Sequence, residues 1–202
     1  MILRILLFLL YLSNVNKLFS EEKAKNAHIF LSTIHAYYTT IISLLYLLDV
    51  NLVVTYYTEL IFLSAYYALY DIYIQHKYRL KNRIPLTIHH LLILLGLVLL
   101  LNYYDNDISK KTLVAYNFLT EISTPFLNKS IILYNQNMNH HINYKISIYM
   151  LVLTFFCSRV LGGIYFIYLS SFQPLFITFS QTTLSSLNLM WFYKIIQMIK
   201  NI

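Results

Sequence analysis

The chain has 202 residues, of which 58% are hydrophobic and only 11% charged, well below the roughly one-quarter charged content of an ordinary soluble domain. The net charge of +7, from 15 Lys and Arg against 8 Asp and Glu, would point to nucleic acid in a soluble protein, but too few polar side chains remain to cover an aqueous surface. The charge is therefore assigned to a membrane setting, and no nucleic-acid partner is expected.

Three Gly and three Pro leave no room for a phosphate-cradling loop. The G-x-x-x-x-G-K-[ST], G-x-G-x-x-G and G-x-S-x-G patterns are all missing, which excludes P-loop, Rossmann and α/β-hydrolase chemistry. A bilayer core of about 30 Å needs roughly 20 apolar residues in a helix. Seven runs approach that length: Ile2 to Phe19, Ala27 to Leu48, Val53 to Ile74, Leu86 to Tyr103, Thr112 to Tyr134, Ile146 to Leu169 and Phe172 to Met198. The expected fold is an all-α polytopic transmembrane helical bundle of about seven spans.

The first run is interrupted by Asn14, Asn16 and Lys17 and is short enough for a signal-peptide core. No A-x-A-like cleavage site follows it, which favours an uncleaved anchor. Residues 1–26 are read as this anchor with a short loop, and residues 27–202 as the main transmembrane domain.

Charge between the runs carries an orientation signal. The stretch His76 to Arg83 holds Lys77, Arg79, Lys81 and Arg83 with no acid, whereas Asp49 and the Asp105 to Asp107 stretch mark acidic breaks. The positive-inside rule makes the cationic loop cytoplasmic. Alternation then places Lys145, Lys194 and Lys200 on the same side, with a cytoplasmic C-terminus. Many of the 20 tyrosines stand near segment ends, including Tyr37, Tyr38, Tyr103 and Tyr104, where an amphipathic ring suits the interface.

Ionisable groups inside a bilayer cost several kcal/mol unless they face a partner, a cavity or water. His35, Asp71, His89, His90, Glu121 and Arg159 are thus the informative residues, with Asn117, Asn128, Gln181 and Asn188 behind them. Asp71 and His89 each stand nine residues from Leu80 in the basic loop, so an antiparallel pair brings them to similar depth. His35, roughly 12 Å into its own span, falls in the same zone. Glu121 and Arg159 lie roughly 13 to 15 Å from the opposite ends of adjacent spans, which suggests an ion pair. Pro125 should kink its helix and free a carbonyl, with Ser123 and Thr124 at hand to satisfy it.

Metal chemistry is not expected. His89 and His90 are adjacent and project about 100° apart, while His28 and His35 are separated by about 10 Å along one helix, so no di-iron His box forms. His140 and His141 belong to an Asn-rich loop and read as solvated. Asn128-Lys129-Ser130 matches a glycosylation sequon but falls in or beside a span, where glycosylation is not expected. Cys157 lies in an apolar run and reads as a small packing residue.

Taken together, Leu31 to Ala36 around His35, Ala68 to Asp71, Ile88 to Leu91, Thr120 to Asn128, Phe155 to Arg159 and Leu187 to Lys194 resemble the TLC-domain family of polytopic membrane proteins, which includes the ceramide synthases. The E-x-S-T-P-F-x-N stretch from Glu121 to Asn128 is most similar to the general TLC-domain-containing proteins. The resemblance implies a six-helix core, with the N-terminal anchor added, around a lipid-accessible cavity in an endoplasmic-reticulum-type membrane. In ceramide synthases the position of His89 and His90 is tied to acyl transfer from acyl-CoA to a sphingoid amine. Those enzymes continue with a His-Asp element, whereas here Leu91 to Leu97 runs into Asn102 and Tyr103 with no His-Asp.

Two functions follow as expectations. One is a protein that binds or regulates membrane lipids through an intrabundle cavity, with His35, Glu121, Asn128, Arg159 and Asn188 as polar contacts. The alternative is an acyl-CoA-dependent N-acyltransferase using His89, His90 and Asp71, a neutral imidazole serving as base or acyl acceptor. Membrane lipids are the partners in either case. No cofactor or metal is required, acyl-CoA entering only as a substrate.

Overall fold

The structure, a computed structural model, describes residues 21–48, 51–79, 83–103, 108–171 and 175–199. The first apolar run and most of the anchor assigned to residues 1–26 lie outside the described residues. Among those described, every regular element is helical. They are α1 (Glu21–Leu47), α2 (Asn51–Lys77), α3 (Arg83–Tyr103), α4 (Ile108–Leu119), a 3₁₀ turn (Thr120–Ser123), α5 (Thr124–Asn135), α6 (Ile142–Phe155), a π-helical segment (Phe156–Leu161), α7 (Gly162–Ser170) and α8 (Leu175–Ile199).

Contacts connect these helices in a closed circuit. Helix α1 packs on α2, α2 on α3, α3 on α8, and α8 on α6, the π segment and α7. The latter elements meet the α4, 3₁₀ and α5 series, which returns to α1. Two apolar clusters brace the circuit at different places. Leu60, Ile61, Leu97, Ala115 and Phe118 join α2, α3 and α4. Leu133, Tyr144, Ile148, Leu151, Phe155 and Ile195 join α5, α6 and α8.

Burial is distributed against the pattern of a water-soluble protein. Among the described residues the buried set holds sixteen polar or charged side chains and sixteen hydrophobic ones. Large apolar groups such as Phe30, Leu91, Leu153, Ile164 and Phe179 are well exposed. Extended apolar exterior with polar interior is what hydrocarbon surroundings favour. Several buried or half-buried hydroxyls bond to their own helix: Thr33 donates to Ile29 O, Thr39 to His35 O, and Ser158 to Thr154 O, a local pairing that suits helices away from water.

Among the described residues two helical stretches, Asn26–Leu47 and Ile142–Ser170, are long and apolar enough to cross a membrane, and Arg83–Val98 is a shorter apolar helix. The fold is therefore all-helical and consistent with an integral membrane protein. In α8 the hydropathy is held down by Thr178, Ser180, Gln181, Thr182, Thr183, Ser185, Ser186 and Asn188, although the helix runs from Leu175 to Ile199.

Two local breaks shape the interior. Pro125 stands in the first turn of α5, directly after the 3₁₀ turn in which the helix series is broken. There the Thr124 N–H donates to Glu121 O rather than to Thr120 O, because the tighter turn uses i→i+3 bonds. The π segment answers a different need. Leu151, Phe155, Arg159 and Gly163 follow at steps of four, and such steps drift by about 40° each in a regular α-helix. The wider π turn absorbs that drift, leaving Leu151, Phe155, Arg159 and Gly163 all buried.

Cys157, read from the sequence as a packing residue, is instead exposed on this segment. The π turn directs Arg159 inward, and Cys157, two residues earlier, falls on the outer side.

Candidate functional site

A cavity of about 520 Å³ lies within the circuit of helices. The eight side chains given roles from the sequence, His35, Asp71, His89, His90, Glu121, Asn128, Arg159 and Asn188, all line it, as do Asn117 and Gln181. They fall into two hydrogen-bonded groups with further residues between.

The first group centres on Asp71, which is 3% exposed. His90 Nε2 lies 2.6 Å from Asp71 Oδ2. His28 Nε2 pairs with Oδ1, and Gln75, one turn further along α2, donates its amide N–H to Oδ2. One carboxylate thus collects groups from α1, α2 and α3. His89 does not touch it; the His89 ring instead meets the edge of Trp191 on α8 at 5.3 Å and that of His90 at 5.4 Å. His35 stacks on Tyr67 at 4.0 Å, with its Nε2 3.2 Å from Ser64 Oγ. Tyr67 in turn meets His90 edge-on at 6.1 Å.

The second group centres on Arg159, 7% exposed on the π segment. Its Nη2 donates to Glu121 Oε1 at 3.0 Å and to Thr124 Oγ1 at 3.2 Å. Its Nε donates to Thr120 O at 3.1 Å and Ser123 Oγ at 3.0 Å. Thr124 also donates to Glu121 Oε2 at 2.7 Å. Thr120 O, inside the 3₁₀ turn, accepts from the guanidinium and also from Ser123 Oγ at 3.2 Å. The ion pair expected from matching depth forms, and the Glu121-Ile122-Ser123-Thr124-Pro125 stretch supplies most of the guanidinium's partners. Charge-assisted bonds in such a fork are the strong ones.

Asn128, on α5, is 7% exposed and donates to Ile29 O at 3.3 Å and Thr33 Oγ1 at 2.9 Å on α1. Its amide is committed to an interhelical contact, which accords with the sequon being no glycosylation site. Asn188 is buried on α8 with Oδ1 unpaired within the chain. The loop pair behaves as read: His140 and His141 are exposed, and His141 caps α6 by accepting from the Asn143 N–H at 3.2 Å.

Among the described residues, five buried polar atoms on the cavity lining lack a partner: Gln75 Oε1, His89 Nδ1, His90 Nδ1, Ser180 Oγ and Asn188 Oδ1. Buried polar atoms are normally paired, and leaving one unpaired costs about 1 to 3 kcal/mol. Among the described residues no group of three or more His, Cys, Asp and Glu side chains is arranged to hold a metal ion.

Sequence reasoning missed His28, Gln75, Tyr67 and Trp191. For His28 a signal existed: it stands seven residues before His35, and two turns return nearly to the same helix face. Gln75 likewise sits at i+4 from Asp71, within reach on one face. Nothing in the local spacing marks Trp191 as the neighbour of His89, since α3 and α8 are far apart in sequence.

No curated protein and no solved structure matches the chain. The family model of the TLC domain (TRAM-LAG1-CLN8) matches residues 18–197, a stretch that contains both polar groups and every helix lining the cavity. The chain therefore belongs to the TLC-domain family.

Proposed function

We propose that this protein is a multi-pass membrane protein that binds or regulates membrane lipids through the cavity between its helices. The observation that carries this reading is the set of five unpaired buried polar atoms around a cavity of about 520 Å³, within the size range of small-molecule sites. A hydrogen-bonding headgroup supplies the partners that the chain itself does not. Two apolar helices and the family membership support membrane insertion.

On this reading the helices make about seven spans, with an N-terminal anchor in residues 1–26 and a six-helix core in residues 27–202. The basic loop between α2 and α3 is cytoplasmic, as is the C-terminus, and an endoplasmic-reticulum-type membrane is the host. His35, Glu121, Asn128, Arg159 and Asn188 serve as polar contacts or as the framework that aims them.

A second reading rests on a separate observation, the 2.6 Å contact between His90 and Asp71 beside the unpaired Nδ1 atoms of both histidines. An imidazole oriented by a carboxylate is the arrangement that general-base or nucleophilic catalysis uses. In an N-acyltransfer, the amine nitrogen attacks the thioester carbonyl of acyl-CoA and the C–S bond breaks. The histidine accepts the amine proton, and the departing thiolate of CoA is protonated in turn. His89, His90 and Asp71 are the residues assigned to this step, and a sphingoid base is the acceptor that the family suggests.

Incubation of the purified protein with acyl-CoA and a sphingoid base, beside a His89→Ala/His90→Ala variant, separates the readings. An N-acyl product that disappears in the variant establishes the enzyme. A lipid that co-purifies unchanged, with no product from either protein, supports binding alone. A chain that neither retains lipid nor forms product contradicts both.

A further inference from the structure

Gly96 stands in the interior of α3, where a glycine weakens a helix relative to alanine. In membrane helices such a residue is usually there to let a neighbouring helix approach. Gly163 does so: a Cβ built on it would sit 2.9 Å from Ser185 Oγ on α8. At Gly96 no heavy atom lies within 4 Å of the corresponding position. Packing within the chain therefore gives no reason for the missing side chain.

Its location supplies one. Gly96 lines the cavity and is itself exposed, with open space where a side chain would stand. It lies seven residues beyond His89 on α3, about 10 Å along the axis and nearly on the same face. Around it the lining is apolar, with Ile93, Leu97, Val114, Phe118 and Phe166, while Leu95 and Val98 carry the exposed apolar surface past it. The path from the histidines to Gly96 thus runs from polar to apolar and ends at the face that hydrocarbon covers.

We propose that Gly96 forms the rim of a portal through the α3 wall that takes a single aliphatic lipid chain, and that the absence of a side chain there determines which tails the cavity accepts. This rests on the lipid-binding reading and extends it, naming the ligand's tail as an unbranched acyl or alkyl chain that threads past α3. The polar groups at the other end of the cavity are untouched by a change at Gly96, so headgroup and tail recognition are separable.

The test uses the full chain, purified in mild detergent, as wild type, Gly96→Ala, Gly96→Leu and Gly96→Phe, with Leu95→Phe as a neighbouring control. Bound lipid is measured by native mass spectrometry, and folding by circular dichroism and gel filtration. Gly96→Ala should stay within twofold of wild type. Gly96→Leu should shift the bound tails to shorter lengths, Gly96→Phe should lose bound lipid tenfold or more, and Leu95→Phe should lose none.

A folded Gly96→Phe protein that keeps the wild-type amount and tail lengths overturns the portal, as does equal loss in Leu95→Phe. Gly96→Cys in a Cys157→Ser background gives an answer that does not depend on folding with a bulky side chain. Modification of the folded protein with dodecyl methanethiosulfonate should displace bound lipid, and modification with the methyl reagent should not; equal effects of the two reagents overturn the proposal. A wild-type chain that carries no lipid and takes up no 16-carbon diazirine fatty acid removes the lipid-binding reading, and the portal with it. Lipid present in wild type and indifferent to Gly96 removes the portal alone.

Discussion

His90 Nε2 lies 2.6 Å from Asp71 Oδ2, tying α3 to α2 across a buried carboxylate that also receives His28 from α1. Three helices are therefore fixed to one another by one acidic side chain, beside the cavity rather than at the periphery. Replacing Asp71 affects architecture and site together.

Asp71→Asn is expected to lower stability by about 1.5 to 3 kcal/mol, the range for hydrogen bonds to a charged group, and to weaken lipid retention. Thermal unfolding in detergent measures the first effect. An unchanged melting temperature would mean that the three donors are not committed to Asp71 in the membrane protein as isolated.

Arg159 and Glu121 form a largely buried pair, with side chains 8% and 17% exposed. Arg159→Leu alone leaves a carboxylate without its counter-charge and should cost about 3 to 5 kcal/mol. The Glu121→Leu/Arg159→Leu double variant should be less damaged than the sum of the singles. A double-mutant cycle by thermal or denaturant unfolding checks this, and strict additivity would contradict direct coupling.

Gly163 is a packing glycine. Gly163→Ala puts a methyl group 2.9 Å from Ser185 Oγ and should destabilise by about 1 to 3 kcal/mol through overpacking. Adding Ser185→Ala removes the colliding oxygen and should restore most of the loss. Failure of that rescue would place the strain elsewhere on α7.

The proposed topology, with the cationic α2–α3 connection cytoplasmic, is open to a direct test. Arg79→Cys and His140→Cys, each in a Cys157→Ser background, should react with an impermeant maleimide from the cytoplasmic face only. Labelling of the two sites from opposite faces would contradict the alternating topology.

Much of the candidate site is visible in the sequence because ionisable groups stand out in apolar runs. Asp71 and His89 flank one loop at equal distance, with His90 one residue further, so antiparallel geometry brings them to similar depth. Glu121 and Arg159 become partners by the same reasoning. The wider network is less legible. Trp191 reaches His89 only because α8 packs on α3, a tertiary contact that no local periodicity encodes. Pro125 announces a break, but the spacing does not say that it takes the form of a 3₁₀ turn just before the proline. Cys157 was misplaced because an apolar run alone does not say which face is buried: it stands two residues from both Phe155 and Arg159, about 200° round the helix from the inward face. The number of spans is harder to read than the existence of the helices, since the polar residues from Thr178 to Asn188 serve the interior while lowering apparent hydropathy.

The most direct test of the central claim is a high-resolution electron cryomicroscopy map of the full chain in a lipid nanodisc, with a bound antibody fragment to add mass. Continuous density in the cavity, with its head against His89, His90 and Asn188 and an extended tail, is the predicted result. A cavity closed by its own side chains, or one holding only separate water-sized features, would contradict lipid binding as the purpose of this fold.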